Sequence, residues 1–407
     1  MAQALQAAWP GWSRGSKTVN FAHVSRVPPE RRSVRLSTLA LRRFRNLGSQ
    51  DLEIPPEGVA LVGDNAQGKS NFLEAIYYLE TFRSFRGARD EQLVSFGEDV
   101  FRVAGTTLPG PCDDGGAVEV AAAFEHRGKR KKVSLDGKEP ERLGDALGRL
   151  AAVIFSPADV ELVSGGPRER RRFLDIVLSL NQPGYLQRLQ EYRRTLVSRN
   201  AALKAGQPGP VVAAWDPGLV RSGAEVVAAR KSWIEGSTEA FGDFYLRVSR
   251  EARARMTYRS SVPLRGAETT EQISEAFQNG LADAYDRDRR LGTTGLGPHR
   301  DDVRFDLDFG DGLDLRDFGS GGQRRTAALA LRLVEARTIR ERRCATPLIL
   351  LDDVFAELDA GRSERVLEVM EGEDVGQVLL TAPRAADVRI RRDTLPRWRI
   401  DAGRICP

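Results

Sequence analysis

The octapeptide Gly63-Asp64-Asn65-Ala66-Gln67-Gly68-Lys69-Ser70 constrains this chain more than any other feature. It fits GxxxxGK[ST], a pattern that works as a loop between a strand and a helix. Its glycines let the backbone wrap around an anion. The loop amides and the helix N-terminus then point at phosphate. The context agrees. Val59-Ala60-Leu61-Val62 is short and apolar and reads as a buried parallel strand, and the spacing predicts a helix from Lys69 to about Leu79. Lys69 should reach the β- and γ-phosphates of a nucleotide, and Ser70 should hold Mg2+. A glycine-rich turn without a ligand is the plain alternative.

Leu348-Ile349-Leu350-Leu351-Asp352-Asp353 supplies a second half to the site. Four aliphatics bury a strand, and the acids emerge at its carboxyl end, where α/β ligands bind. Asp352 is expected to serve the metal with Ser70. Asp353 is expected to orient or deprotonate an attacking water, which with Lys69 and Asp352 makes the candidate catalytic set. Such a run is weak alone and gains force from the loop.

The sequence Phe318-Gly319-Ser320-Gly321-Gly322-Gln323 precedes a helix predicted over Gln323–Arg343, and Ser320 stands 32 residues before Asp352. This layout resembles the signature loop of ABC-type ATPases, whose Ser and backbone amides cap the γ-phosphate of a second molecule across a dimer. Ser320, Gly321, Gly322 and Gln323 therefore join the expected ATP contacts. A small-residue turn that only caps a helix is the simpler reading. Phe355-Ala356-Glu357-Leu358-Asp359 stands where the D-loop of such proteins lies, with Asp359 expected at the dimer interface.

The rest of the chain completes an α/β reading. Strands are predicted at Val34–Leu41, Gln50–Ile54, Ala151–Phe155, Val303–Phe309, Leu313–Phe318 and Gln377–Thr381, with a further helix at Ser363–Met370. Residues 117–136 read as a β-hairpin turning at Arg127-Gly128-Lys129. From 166 to 294 the character is helical, with breaks at Gly206–Pro210 and Val262–Gly266. The expected organisation is a tail over 1–33, an N-terminal half of an ATPase head over 34–165, a helical arm over 166–294, and a C-terminal half over 295–407. The tail, with five bases, one acid and no hydrophobic period, reads as disordered or as a start placed too far upstream.

Composition narrows the class. Three cysteines without a CxxC pair and three histidines at no ligand spacing argue against a disulfide framework and against zinc. The aliphatic run at 348–351 falls far short of the roughly 20 apolar residues of a membrane span, so a soluble, cytoplasmic protein is expected.

Several strings go further. Phe44-Arg45-Asn46, Asn71-Phe72-Leu73-Glu74-Ala75-Ile76, Ser84-Phe85-Arg86, Phe155-Ser156-Pro157, Arg171-Arg172-Phe173-Leu174-Asp175 and Gly297-Pro298-His299-Arg300-Asp301-Asp302 are similar to those of the RecF family. The resemblance runs from about Val34 to about Ala385. It implies an ABC/SMC-type P-loop ATPase head with an antiparallel β subdomain and a mostly α-helical inserted domain. It also implies a weak, DNA-stimulated ATPase of replication and recombinational gap repair. Such a protein dimerises with ATP, acts with RecO and RecR to load recombinase at gaps, and supports SOS induction. An ABC transporter ATPase subunit is the alternative. Three positions depart from the wider ABC pattern: Asp353 replaces the usual Glu, Thr381 stands near the switch histidine, and Ser156 or Asp159 stands at the Q-loop glutamine. Slow hydrolysis is expected. Arg86, His299 and Arg300 receive no role, and a fold-holding ion pair competes with phosphate contact there.

DNA contacts are sought among bases. Residues 127–132 place five bases in six positions at the hairpin tip. Lys129, Arg130, Lys131 and Lys132 are the first candidates, with Arg170 and Arg171 second. Contacts of this kind would be sequence-blind and salt-sensitive; a solvated turn is the alternative. Double-stranded or gapped DNA fits better than single strands, because no aromatic ladder interleaves with the bases.

Overall fold

The computed structural model describes residues 34–110, 116–308, 312–355, 358–373, 376–388, 390 and 395–407. The expected tail over 1–33, and Ala356 and Glu357 of the expected D-loop, lie outside them. In chain order the first strands are β1 (Arg35–Arg42), β2 (Gln50–Glu53), β3 (Gly58–Val62), β4 (Val100–Leu108), β5 (Val118–Glu125), β6 (Arg130–Leu135) and β7 (Ala152–Phe155). They are followed by β8 (Ala254–Arg259), β9 (Asp302–Leu307), β10 (Leu313–Asp314), β11 (Leu348–Asp352), β12 (Val378–Ala382), β13 (Arg397–Asp401) and β14 (Arg404–Cys406). The longer helices are α1 (Lys69–Thr81), α2 (Pro167–Asn181), α3 (Tyr185–Lys204), α4 (Asp216–Ser249), α5 (Thr270–Leu291), α6 (Gly321–Arg343) and α7 (Ala360–Gly372). Among the described residues no helix is long and apolar enough to cross a membrane.

Contacts divide the chain into two units, one built from residues up to Ala158 and from Glu335 onward, the other from Asp159–Val334. Residues 295–334, which the sequence reading groups with the second half of the head, fall in the second unit.

The first unit holds two sheets. One is antiparallel, in the order β2-β1-β4-β5-β6. The other runs β14-β13-β3-β12-β11-β7, parallel except for the β13–β14 hairpin. α1 packs against β4 and β5 on one side and β7, β11 and β12 on the other. That explains its sequence: Phe72, Leu73, Ala75, Ile76, Tyr77, Tyr78 and Leu79 are all buried, so apolar residues surround the helix instead of striping one face. Tyr78 and Phe44 both meet the Phe101 ring edge-on, at 5.4 and 5.2 Å between centroids. Gln377 joins distant segments. It exchanges hydrogen bonds with the backbone of Leu36 (2.9 and 3.0 Å) and donates to the Pro55 carbonyl at 2.6 Å.

The second unit packs α3, α5 and β8 around α4, and β8 and β10 flank β9 in a three-stranded sheet. Two expectations are corrected here. Ala254–Arg259 lies in the stretch read as helical and is a strand, because its partner β9 supplies a full antiparallel ladder. The strand predicted over Leu313–Phe318 stops at Asp314, whose side chain accepts from the Arg316 amide at 2.8 Å and caps a helical turn over Leu315–Phe318.

Candidate nucleotide site

Gly63–Gly68 joins the carboxyl end of β3 to α1. Gly68 sits at φ +110, which favours glycine, and a Cβ there would lie 2.7 Å from the Asn46 side-chain oxygen and push it aside. α1 has no side-chain N-cap, which leaves its first amides available to an anion. Asp64, Asn65 and Ala66 are exposed and Lys69 is buried. The Lys69 ammonium donates to the carbonyls of Gly63 (2.5 Å) and Asp64 (2.8 Å), filling the loop's own hollow. Burial lowers its pKa, while the charges of Asp353, Asp64 and Asp352 push it back up.

The structure brings Ser70 and Asp352 together. The Ser70 hydroxyl donates to Asp352 Oδ1 at 2.7 Å. Thr381, opposite Asp352 on β12, donates to the same oxygen at 3.0 Å. The Asp353 amide donates to the Thr381 hydroxyl at 3.0 Å, and Asp353 itself takes φ +50, which turns the chain out of the strand. Burial raises the Asp352 pKa, opposed first by the Ser70 and Thr381 hydrogen bonds and then by the charges of Arg86 and Lys69. A hydroxyl beside one carboxylate suits Mg2+, which takes few protein oxygens and completes its shell with water and phosphate.

The strings similar to the RecF family form a connected network around this loop. Arg45 pairs with the fully buried Glu74 at 3.0 Å through both of its nitrogens facing the carboxylate, and Ser84 donates to the same carboxylate. Asn46 donates to the Gln67 carbonyl at 3.2 Å and accepts from Asn71 at 2.8 Å, and Arg86 donates to Asn71 at 3.1 Å. Arg86, without a role in the sequence reading, is thereby fixed close enough for its charge to act on Asp352.

The β13–β14 hairpin closes the loop from another side, and sequence reasoning missed it. The Ala402 amide donates to the Gln67 side-chain oxygen at 2.6 Å, and the Gly403 amide to the Gln67 carbonyl at 3.0 Å. Ala402 and Gly403 have φ +44 and +79, as the two central residues of a type I′ turn require. The signal was present: Trp398, Ile400 and Ile405 alternate around Ala402-Gly403.

Ser320 caps α6. Its hydroxyl accepts from the Gln323 amide at 3.2 Å, and its own amide donates to the Gln323 side chain at 2.8 Å. Ser320 and Gly321 are exposed, and Gly322 is half-buried. Asp359 caps α7 by accepting from the Arg362 amide at 2.8 Å, which holds its exposed carboxyl below the usual range. Asp159, one of the two Q-loop positions, is held by Arg332 at 2.6 Å.

The basic candidates separate. Lys129 and Arg130 are exposed at the hairpin tip, and Lys132 is half-buried. Lys131 is turned inward: it pairs with Asp90 at 2.7 Å, donates to the Phe82 carbonyl and covers the Tyr78 ring. Arg170 is corrected. It is 3% exposed, faces both oxygens of Asp302 at 2.6 and 3.0 Å, and donates to the Val163 and Gly165 carbonyls. Its guanidinium is spent inside the second unit. Arg171 donates to the Asp301 carbonyl at 2.7 Å. His299 is held between the Tyr192 hydroxyl (2.6 Å) and the Thr294 carbonyl (3.0 Å), and burial lowers its pKa to about 4. It is a structural residue of the second unit.

Comparison with known proteins agrees with this architecture. Residues 35–395 match the RecF/RecN/SMC N terminal domain. A DNA replication and repair protein RecF of Anaeromyxobacter sp. (strain Fw109-5) is 36% identical over 376 residues, 92% of this chain and 99% of the relative. The protein of that name from Thermoanaerobacter sp. (strain X514) is 35% identical over 82% of this chain and 91% of its own length. The solved structure of the recombination mediator protein RecF-ATPrS in the RecFOR pathway superposes with a TM-score of 0.83 at 32% identity, covering 92% of this chain and 98% of that one. The Smc head domain from Pyrococcus furiosus shares the fold alone, at 16% identity and a TM-score of 0.53. The chain belongs to the RecF family, an ABC/SMC-type P-loop ATPase fold with a largely helical inserted unit.

Proposed function

We propose that this chain binds ATP with Mg2+ and serves DNA replication and recombinational gap repair as an ATP-dependent dimer on DNA. The observation that carries the reading is the Ser70–Asp352 contact at 2.7 Å beside the buried Lys69. Relatives called DNA replication and repair protein RecF, and a RecF-ATP structure at a TM-score of 0.84 and 31% identity, support it.

The roles follow from chemistry. Backbone amides of Gly63–Gly68 and the N-terminus of α1 receive the phosphates, and Lys69 exchanges its two carbonyl partners for the β- and γ-oxygens. Ser70 and Asp352 hold Mg2+, which supplies charge neutralisation on those phosphates when bound. Asp353 orients the attacking water. Its short side chain reaches less far than a glutamate, which favours slow hydrolysis. The exposed Ser320 loop caps ATP held by a second copy, and Asp359 lies at that interface. DNA meets the hairpin tip through phosphate contacts. RecO and RecR are the expected partners, loading of recombinase and SOS induction the expected outcomes, and the cytoplasm the expected compartment. A transporter ATPase subunit is not favoured, since the relatives are repair proteins.

Sedimentation with and without ATP and gapped DNA tests the reading. A dimer that needs ATP, and a heavier species with gapped DNA, are expected. A monomer under every condition would overturn it.

A further inference from the structure

Phe96 is fully exposed, whereas the other described aromatic rings of the first unit are largely packed inside. It contributes nothing to the core, yet the turn that carries it is ordered. The Ser95 amide donates to the Arg43 carbonyl at 2.9 Å, the Ser95 hydroxyl to the Arg45 carbonyl at 2.5 Å, and the Glu98 amide back to Ser95 at 3.0 Å. Gly97, at φ +82, completes the turn. An aromatic ring is therefore presented to solvent on a fixed mount.

Exposed cations stand beside it, each facing an acid across a solvent-exposed pair. One residue beyond the turn, the Asp99 carbonyl accepts from the His126 amide at 2.7 Å, which ties the turn to the β5–β6 hairpin tip. Around it stand Arg43 and Arg127, with side chains 55% and 80% exposed, and Lys129 at 76%. Arg43 pairs with Glu98 and Arg127 with Asp99 at about 3 Å, while Lys129 is 3.9 Å from Glu91. Arg130, next to Lys129 at the hairpin tip, is exposed as well.

We propose that the Ser95–Glu98 turn is a nucleic-acid contact in which Phe96 stacks on an unpaired base at a single-strand/double-strand junction while the cations beside it take the flanking phosphates. The inference rests on the DNA-binding reading above and adds which residue meets the unpaired base. Phosphate contacts alone cannot tell a gap from intact duplex. A ring can, because only a gap offers an open base face, and every base has one. The cations select nucleic acid over a protein partner, whose hydrophobic pocket would need no ring of bases around it.

The test uses the full chain with ATP, a gapped duplex carrying 2-aminopurine as the first unpaired base, and the intact duplex of the same sequence. Phe96→Ala should weaken binding to the gapped duplex roughly tenfold, abolish the change in 2-aminopurine fluorescence, and leave affinity for intact duplex and the salt slope unchanged. Phe96→Trp should restore both losses. Equal affinity of wild type and Phe96→Ala for the gap would overturn the assignment of Phe96 alone. No binding of either DNA by the wild type would instead overturn the DNA reading beneath it. Unchanged DNA binding together with loss of a protein partner would also refute the proposal.

Discussion

The Thr381 hydroxyl touches both acids of the β11 terminus, donating to Asp352 Oδ1 at 3.0 Å and accepting from the Asp353 amide at 3.0 Å. It thereby fixes the carboxylate expected to hold metal and the backbone of the one expected to hold water. Thr381→Val keeps the shape and removes both bonds. Metal-dependent ATP affinity should fall roughly 10- to 100-fold, with ATP affinity in EDTA unchanged. Equal losses with and without Mg2+ would show that Thr381 only supports the fold.

Asp352 carries a cost in the free protein. Burial raises its pKa, so the folded state binds a proton more readily than the unfolded chain. Stability from this group therefore declines as pH rises from the ordinary carboxylate value, 3.8, through the raised one. Asp352→Asn retains acceptors for Ser70 and Thr381 and removes that charge. The variant should melt higher than wild type at neutral pH without nucleotide, and gain nothing from Mg2+-ATP. Thermal unfolding with and without Mg2+-ATP measures both. A lower melting temperature in the free variant would contradict the electrostatic account.

His299 gives the opposite sign. Its folded pKa of about 4 lies below the ordinary 6.5, so the unfolded chain takes up the proton first. Stability is full above about 6.5 and is lost as pH falls toward 4. His299→Gln can still donate to Thr294 and accept from Tyr192. It should flatten the acid limb of a stability–pH curve over that window. An unchanged limb would mean other groups set it.

Arg170 and Lys129 should separate fold from DNA contact. Arg170→Ala leaves Asp302 without its partner and should cost about 3 kcal/mol of stability or more. Lys129→Ala should leave stability unchanged and reduce the log–log salt slope of duplex binding by about 0.9. Denaturant unfolding and a salt titration decide between them. A salt slope altered by Arg170→Ala in folded protein would restore it to the DNA surface.

Ser320 is exposed, and its bonds within the chain only cap α6. Ser320→Arg should leave ATP affinity near wild type while abolishing the ATP-dependent dimer, because the bulky cation would fill the place of the partner's γ-phosphate. Sedimentation of the variant with ATP checks it, and normal dimerisation would end the assignment of this loop to a second molecule's site.

Much of this was legible in the chain. The Gly63–Ser70 loop, β3, α1 and β11 follow from local patterns, since apolar runs and glycines report their own surroundings. The short strings around Arg45, Asn71, Ser84 and His299 marked residues whose partners could not be named, because pairs such as Arg45–Glu74 or Arg170–Asp302 join segments far apart in sequence. Base counting misjudged Arg170 for the same reason: a charge cluster does not say which member faces inward. β8 was missed because its ladder partner β9 lies more than forty residues away, and Ala402-Gly403 because a hairpin signal says nothing of what the turn will grip.

Gln67 is gripped by Ala402 and Gly403, and 335 residues separate Gln67 from Ala402. β3, on which the phosphate loop is built, lies between β12 and β13, both made after almost all the rest. During synthesis the loop therefore leaves the ribosome long before the strands that flank it and the turn that holds it. A nascent chain carries the motif without its frame. The frame that holds the loop is complete only when the last strands of the sheet have been made.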